Sequence, residues 1–169
     1  MIMEDRFLLD SNIFIDSKNF AYRFEYCQMF WDFLLKLHNK KIVYSINAVK
    51  KELLFKTDEL SYWIKNTVPS SFFEDEMSSI DCYGTLMNWA QNQKVTEKAK
   101  TDFANPDKAD AFLIAHAMKN NYVIVTGEKF DENVKKRILI PNAANAHNVR
   151  TMTLFDFLIS YAGHNFSLK

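Results

Sequence analysis

Two rhythms of apolar residues run along this chain. Short, wholly apolar runs sit between longer stretches in which apolar residues recur every three or four positions. The short runs predict strands over residues 6–10, over "KIVYSI" at 41–46, over "YVIVT" at 122–126 and over "VRTM" at 149–152, with "ILIP" at 138–141 as a brief extended piece. The helical rhythm predicts a helix over 21–39, with Phe24, Cys27, Phe30, Trp31, Leu34, Leu35 and Leu37 on its apolar side. Asn47 reads as the cap of a helix over "AVKKELLFK", and Thr57 or Asp58 as the cap of another reaching Asn66. Further helices are expected over 75–93, 96–103, 105–121 and 153–162, Pro106 suiting the first turn of the third. "VPSSFFEDE" and "GEKFDENVKKR" read as loops.

Short apolar strands alternating with helices predict an α/β protein. The expected form is a three-layer α/β/α fold around a central, mainly parallel sheet of about four to five short strands. With 169 residues and no linker or repeat, the chain reads as one domain over 1–169. Fifteen Phe, seven Tyr and three Trp supply a bulky core, and only three Gly and three Pro argue against the turn chemistry of a β-sandwich. The two cysteines lack ligand spacing, which speaks against a disulfide framework or a structural zinc. Basic and acidic residues balance at 21 each, so net charge does not mark a nucleic-acid partner. No basic-then-apolar start is present and no apolar run nears the ~18 residues of a membrane span, so the expectation is a cytoplasmic protein with no membrane contact.

In parallel α/β sheets ligands gather at the carboxyl ends of the strands. Asp10 ends the first strand, Glu52 lies in the helix after the second, Asp110 lies in the first turns of the "DKADAFLIAHA" helix, and Glu128 follows "YVIVT" by two residues. All four could point at one sheet edge. Four carboxylates raise one another's pKa in a dry pocket, and a hard divalent cation, Mg²⁺ or Mn²⁺, one ion or two, resolves the conflict. Each residue also has an ordinary use: Asp10 in a turn, Glu52 on a solvated face beside Lys50 and Lys51, Asp110 at a helix N-terminus, Glu128 in a loop. Ser11 and Ser45 lack an evident partner base, which disfavours a nucleophilic hydrolase. His38, His116, His147 and His164 show no ligand spacing, and His116 reads as a packed or surface residue.

At these residues the sequence resembles the PIN-domain nucleases, in particular a VapC-related, PIN-like branch of largely uncharacterised bacterial proteins. The matching stretches are "FLLDSNIFI", "FWDFLLKLHNKKIVYSINAVKKEL", "DELSYWIKN", "ADAFLIAHAMKNNYVIVTGE" and "KKRILIPNAANAHNVRTMTLFDFL", and together they cover nearly the whole chain. The resemblance implies a PIN-like fold and a metal-dependent ribonuclease, either the toxin of a toxin–antitoxin pair or a relative of one. It puts the four catalytic acids on Asp10, Glu52, Asp110 and Glu128, and the metal on Asp10, Asp110 and Glu128. Asn12 and Thr126 would orient those ligands, and Asp131 could stand in for Glu128, which is one methylene longer than the usual Asp. An antitoxin protein and a homodimer are the partners it implies.

An RNA substrate needs cations near the acids. Lys51, Lys129, Lys135, Lys136 and Arg137 are the candidates, "KKR" at 135–137 being the best placed. Two readings compete with the ribonuclease: a non-catalytic PIN-like module that binds a metal or a protein, and a nuclease acting on DNA. The aromatic stretch "YRFEYCQMFWDF" could offer a partner surface, with core packing the more ordinary use of its rings.

Overall fold

A computed structural model describes residues 4–169. The elements in chain order are β1 (Phe7–Leu9), α1 (Ser11–Asn19), α2 (Gln28–Asn39), β2 (Val43–Ile46), α3 (Asn47–Leu54), α4 (Glu59–Asn66), β3 (Phe73–Glu74), α5 (Ile80–Gln91), α6 (Glu97–Phe103), α7 (Asp110–Asn120), β4 (Val123–Val125), α8 (Ile140–Ala146), β5 (Thr151–Met152) and α9 (Leu154–Tyr161). Short 3₁₀ turns lie at 70–72, 76–79 and 164–166.

The five strands form one all-parallel sheet in the order β3-β2-β1-β4-β5, flanked by helices as a three-layer α/β/α fold requires. β1 and β4 are apolar and buried at every position, the mark of central strands covered on both faces. Phe7 stands edge-on to Phe157 and Tyr161, so α9 covers its face of the sheet. α7 packs against α5, α3, α8 and β4. The order reverses direction between β1 and β4: chain order runs outward through β2 and β3 on one side and through β4 and β5 on the other. That switch point lies at the carboxyl ends of β1 and β4, where Asp10 and Thr126 are buried.

Several expected elements shift. The 21–39 helix begins only at Gln28, because residues 21–27 wind through turns in which the Cys27 N–H reaches Arg23 O and Trp31 Nε1 donates to Tyr22 O at 2.7 Å. The aromatic stretch is mainly core: Tyr22 stacks on Phe30 and Phe24 on Trp31, while Tyr26 stays exposed. Asn47 is the first helical residue of α3 rather than its cap, and Asp58 caps α4 reciprocally with Ser61. The 75–93 helix is replaced at its start by 3₁₀ turns, and α7 starts at Asp110 because Asn105 Oδ1 holds the Asp107 N–H in a turn at 2.9 Å. Helices α1 and α8, the latter in place of the extended "ILIP", were not expected, nor was β3 within "VPSSFFEDE".

Candidate metal centre at the switch point

Asp10 follows the buried strand β1 with extended backbone, and its N–H donates to Val125 O at 3.0 Å, which fixes it against β4. It is 2% exposed. Thr126, the residue after β4, donates its hydroxyl to Asp10 Oδ2 at 2.9 Å and accepts the Glu128 N–H at 3.2 Å. So Thr126 does orient Asp10, as expected, and also shapes the turn that presents Glu128. The Asp10 carboxyl is pushed up to about 7: burial acts first, the Asp110 and Glu128 carboxylates add to it, and the Thr126 hydrogen bond opposes it. Asp110, half-buried in the first turn of α7, is pushed up to about 6 by burial and by Glu128 and Glu52, against the pull of Arg137 and Lys108. The four acids predicted from the sequence therefore meet at one edge and act on one another.

They divide into two kinds. The glutamates are tied to protein donors. Glu52 Oε2 accepts from the Ser11 hydroxyl, and Oε1 takes the Ala109 N–H at 2.7 Å, just ahead of α7. Glu128 Oε2 takes the Ile140 N–H at 2.7 Å, an otherwise unpaired amide of the first turn of α8, and Oε1 pairs with Arg137. Each glutamate thus anchors the start of a helix, and Glu52 fixes the helix that carries Asp110. The aspartates lack such anchoring roles: Asp10 accepts from the Thr126 hydroxyl and the adjacent Ser11 N–H, and Asp110 sits beside cations without an ion pair among the described residues.

This arrangement bears on a divalent cation. The donor set is all oxygen and like-charged, which suits Mg²⁺ or Mn²⁺. Among the described residues no three His, Cys, Asp or Glu side chains stand close enough to grip an ion as they are. Neither Asp10 nor Asp110 has an ion pair among the described residues, so a cation bound here would meet those two first; Glu128, expected as a third direct ligand, is held by Arg137.

Other expected residues fall outside this group. Asn12 does not back the acids; it is exposed on α1 and lines a neighbouring pocket. Asp131 accepts the Asn133 N–H at 2.9 Å and its backbone pairs with Asn142, so it braces its own loop rather than replacing Glu128. Among the cations, Lys136 and Arg137 share a cleft with Asp110 and Lys108. Lys51 is exposed and paired with Asp107 at 3.4 Å, Lys129 lines the pocket shared with Asn12, and Lys135 lines a groove beside Trp89. Ser11 does have an acidic partner, contrary to expectation, but it is a carboxylate that also holds a helix, with no histidine in the chain of bonds.

A second polar group has no signature in the sequence. Ser79 Oγ lies 2.9 Å from His116 Nδ1, and His116 Nε2 lies 3.3 Å from Glu74 Oε1. The series resembles a hydrolase triad, but Ser79 is 0% exposed, so no substrate reaches it. It joins β3 to α7 as a structural network.

No curated protein and no solved structure matches the chain. A family model described as "Domain of unknown function (DUF4411)" matches residues 7–164, and the chain belongs to that family.

Proposed function

We propose that this protein is a metal-dependent endoribonuclease. The observation that carries the reading is the meeting of Asp10, Glu52, Asp110 and Glu128 at the switch point of a parallel sheet, where burial and mutual repulsion leave the two aspartates short of positive charge. The resemblance of the same four residues to the PIN-domain acids supports it, as does the cleft that joins Asp110 to Lys108, Lys136 and Arg137. A divalent ion bound there, Mg²⁺ or Mn²⁺, supplies Lewis-acid activation of water and neutralises charge on a phosphodiester.

The chain's own residues do the rest. Asp10 and Asp110 hold the ion, Asp10 aimed by the Thr126 hydroxyl. Glu52 keeps α7, and with it Asp110, in position through the Ala109 N–H. Glu128 holds α8 and Arg137, and Arg137, Lys136 and Lys108 receive the phosphate backbone. A toxin role, an antitoxin, a homodimer and a cytoplasmic location rest on the resemblance and on sequence composition; no helix of the described residues is long and apolar enough to cross a membrane.

The test is cleavage of a mixed single-stranded RNA pool, and of the matching DNA, by purified protein with Mn²⁺, with Mg²⁺ and with EDTA, beside Asp10→Asn. Metal-dependent cutting of RNA that the variant lacks is expected. Cutting of DNA alone would move the reading to a DNA nuclease. Folded protein that cuts neither would leave a non-catalytic module.

A further inference from the structure

A pocket adjoins the acid edge and has no part in the chemistry described above. It has a volume of about 400 Å³, and its wall, mainly apolar, includes Asn12, Ser17, Phe20, Tyr22, Gly127 and Phe155. Phe20 is 70% exposed and Phe155 65%, an unusual outlay of aromatic surface for two residues facing one cavity. The pocket neighbours the acid edge along the chain: Asn12 is two residues past Asp10, and Gly127 lies between Thr126 and Glu128. Lys129 and Asp16 put one cation and one anion on its rim.

A flat, largely apolar ligand with hydrogen-bonding edges, joined to a phosphate, fits all of these features. We propose that the pocket receives one unpaired nucleobase of the RNA strand, next to the phosphodiester held at Asp10 and Asp110. The inference rests on the ribonuclease reading of that edge. Exposed rings offer stacking surface to any base, the exposed Asn12 amide donates and accepts along a base edge, and Lys129 meets the adjoining phosphate. A base paired in a duplex cannot enter, so the pocket selects single strands.

The test uses the wild-type full chain with Mn²⁺, read by stopped flow before cutting, and a short single-stranded RNA carrying 2-aminopurine at each position in turn. Stacking in the pocket quenches the probe at one position on binding. An abasic residue at that position weakens binding about tenfold. Phe20→Ala or Phe155→Ala weakens the intact RNA by a similar factor and removes the difference from the abasic one, whereas Phe155→Tyr keeps it. Melting curves check that the variants fold, and the abasic comparison needs no further substitution. No binding, equal quenching at every position, or equal affinity for abasic and intact RNA overturns the proposal. Wild-type protein that quenches one position and never cuts would remove the nuclease reading and keep the pocket. Wild-type protein that cuts abasic and intact RNA alike would keep the nuclease and remove the pocket.

Discussion

Two acidic groups flank helix α7, and they face the same problem. At its middle, Glu74 is half-buried against His116 and Tyr122; at its start, Asp110 is half-buried near Asp10. Burial pushes the Glu74 carboxyl up, but hydrogen bonds from His116 and Tyr122, and the charges of His116 and Arg6, bring it below its ordinary value. Arg6 lies over the Tyr122 ring at 4.4 Å and donates to Asn120 O at 2.8 Å, which closes the network. At the other end, burial first, and then the Asp110 and Glu128 carboxylates, raise Asp10 against the pull of the Thr126 hydroxyl and the Ser11 N–H. Burial separates the two groups in part, Asp10 being 2% exposed and the Glu74 side chain 33%, and the partners that the chain supplies widen the difference. A cluster that serves the fold is satisfied from within, and one left uncompensated is poised for a cation from outside.

The largest effect should come from removing a charge at the uncompensated end. Asp10→Asn or Asp110→Asn is expected to lower RNA cleavage more than about 100-fold, beyond what is typical for groups that only orient metal ligands. Glu74→Gln should leave the rate per folded molecule within about twofold, since it lies outside the site. Single-turnover cleavage with matched folded fractions checks both. Cleavage lost equally in the two would erase the distinction.

Stability should change in the opposite sense. His116→Ala breaks a satisfied buried network and should cost about 2 kcal/mol in urea unfolding. Asp10→Asn removes an unfavourable buried charge and should gain on the order of 1–2 kcal/mol at pH 8 without metal.

The pH dependence sharpens the contrast. The native Asp10 value, near 7, lies above the ordinary 3.8, so between them the folded chain binds more protons than the unfolded one. The metal-free protein should therefore lose stability as pH climbs from about 4 to about 7, a slope that Asp10→Asn should flatten. Glu74 has the opposite sign: its lowered value gives stability that is present at neutral pH and is lost as pH falls through the acid range. Thermal melts across pH 4–8 follow both. The smallest effect is expected at the cations: Lys136→Ala should reduce the salt slope of RNA binding by about one, and Lys51→Ala, exposed and paired with Asp107, by less.

What the sequence reveals follows from whether a feature is local. Phe7–Leu9 and Val123–Val125 read as central strands because their neighbours on both faces are apolar, and the acids at strand ends follow from that reading. Asp58 caps α4 through a residue three positions on. By contrast, α8 escapes because Ile138–Pro141 looks extended, while the amide that starts the helix is held by Glu128, twelve residues upstream. α1 escapes because Ile13, Phe14 and Ile15 in a row carry no helical period. β3 is two residues long and exists only through its ladder to β2. The same reason hides the division between aspartates and glutamates: all four read alike as acids, and only distant amides show that Glu52 and Glu128 are already engaged.

The most direct test is a calorimetric titration of Mn²⁺ into metal-free wild-type protein and Asp10→Asn at pH 8 and pH 5. Saturable binding by the wild type at pH 8, much weaker at pH 5 and absent in the variant, is the expected result. Equal binding by both proteins, or none by folded wild type at either pH, would contradict a cation site built on the two aspartates.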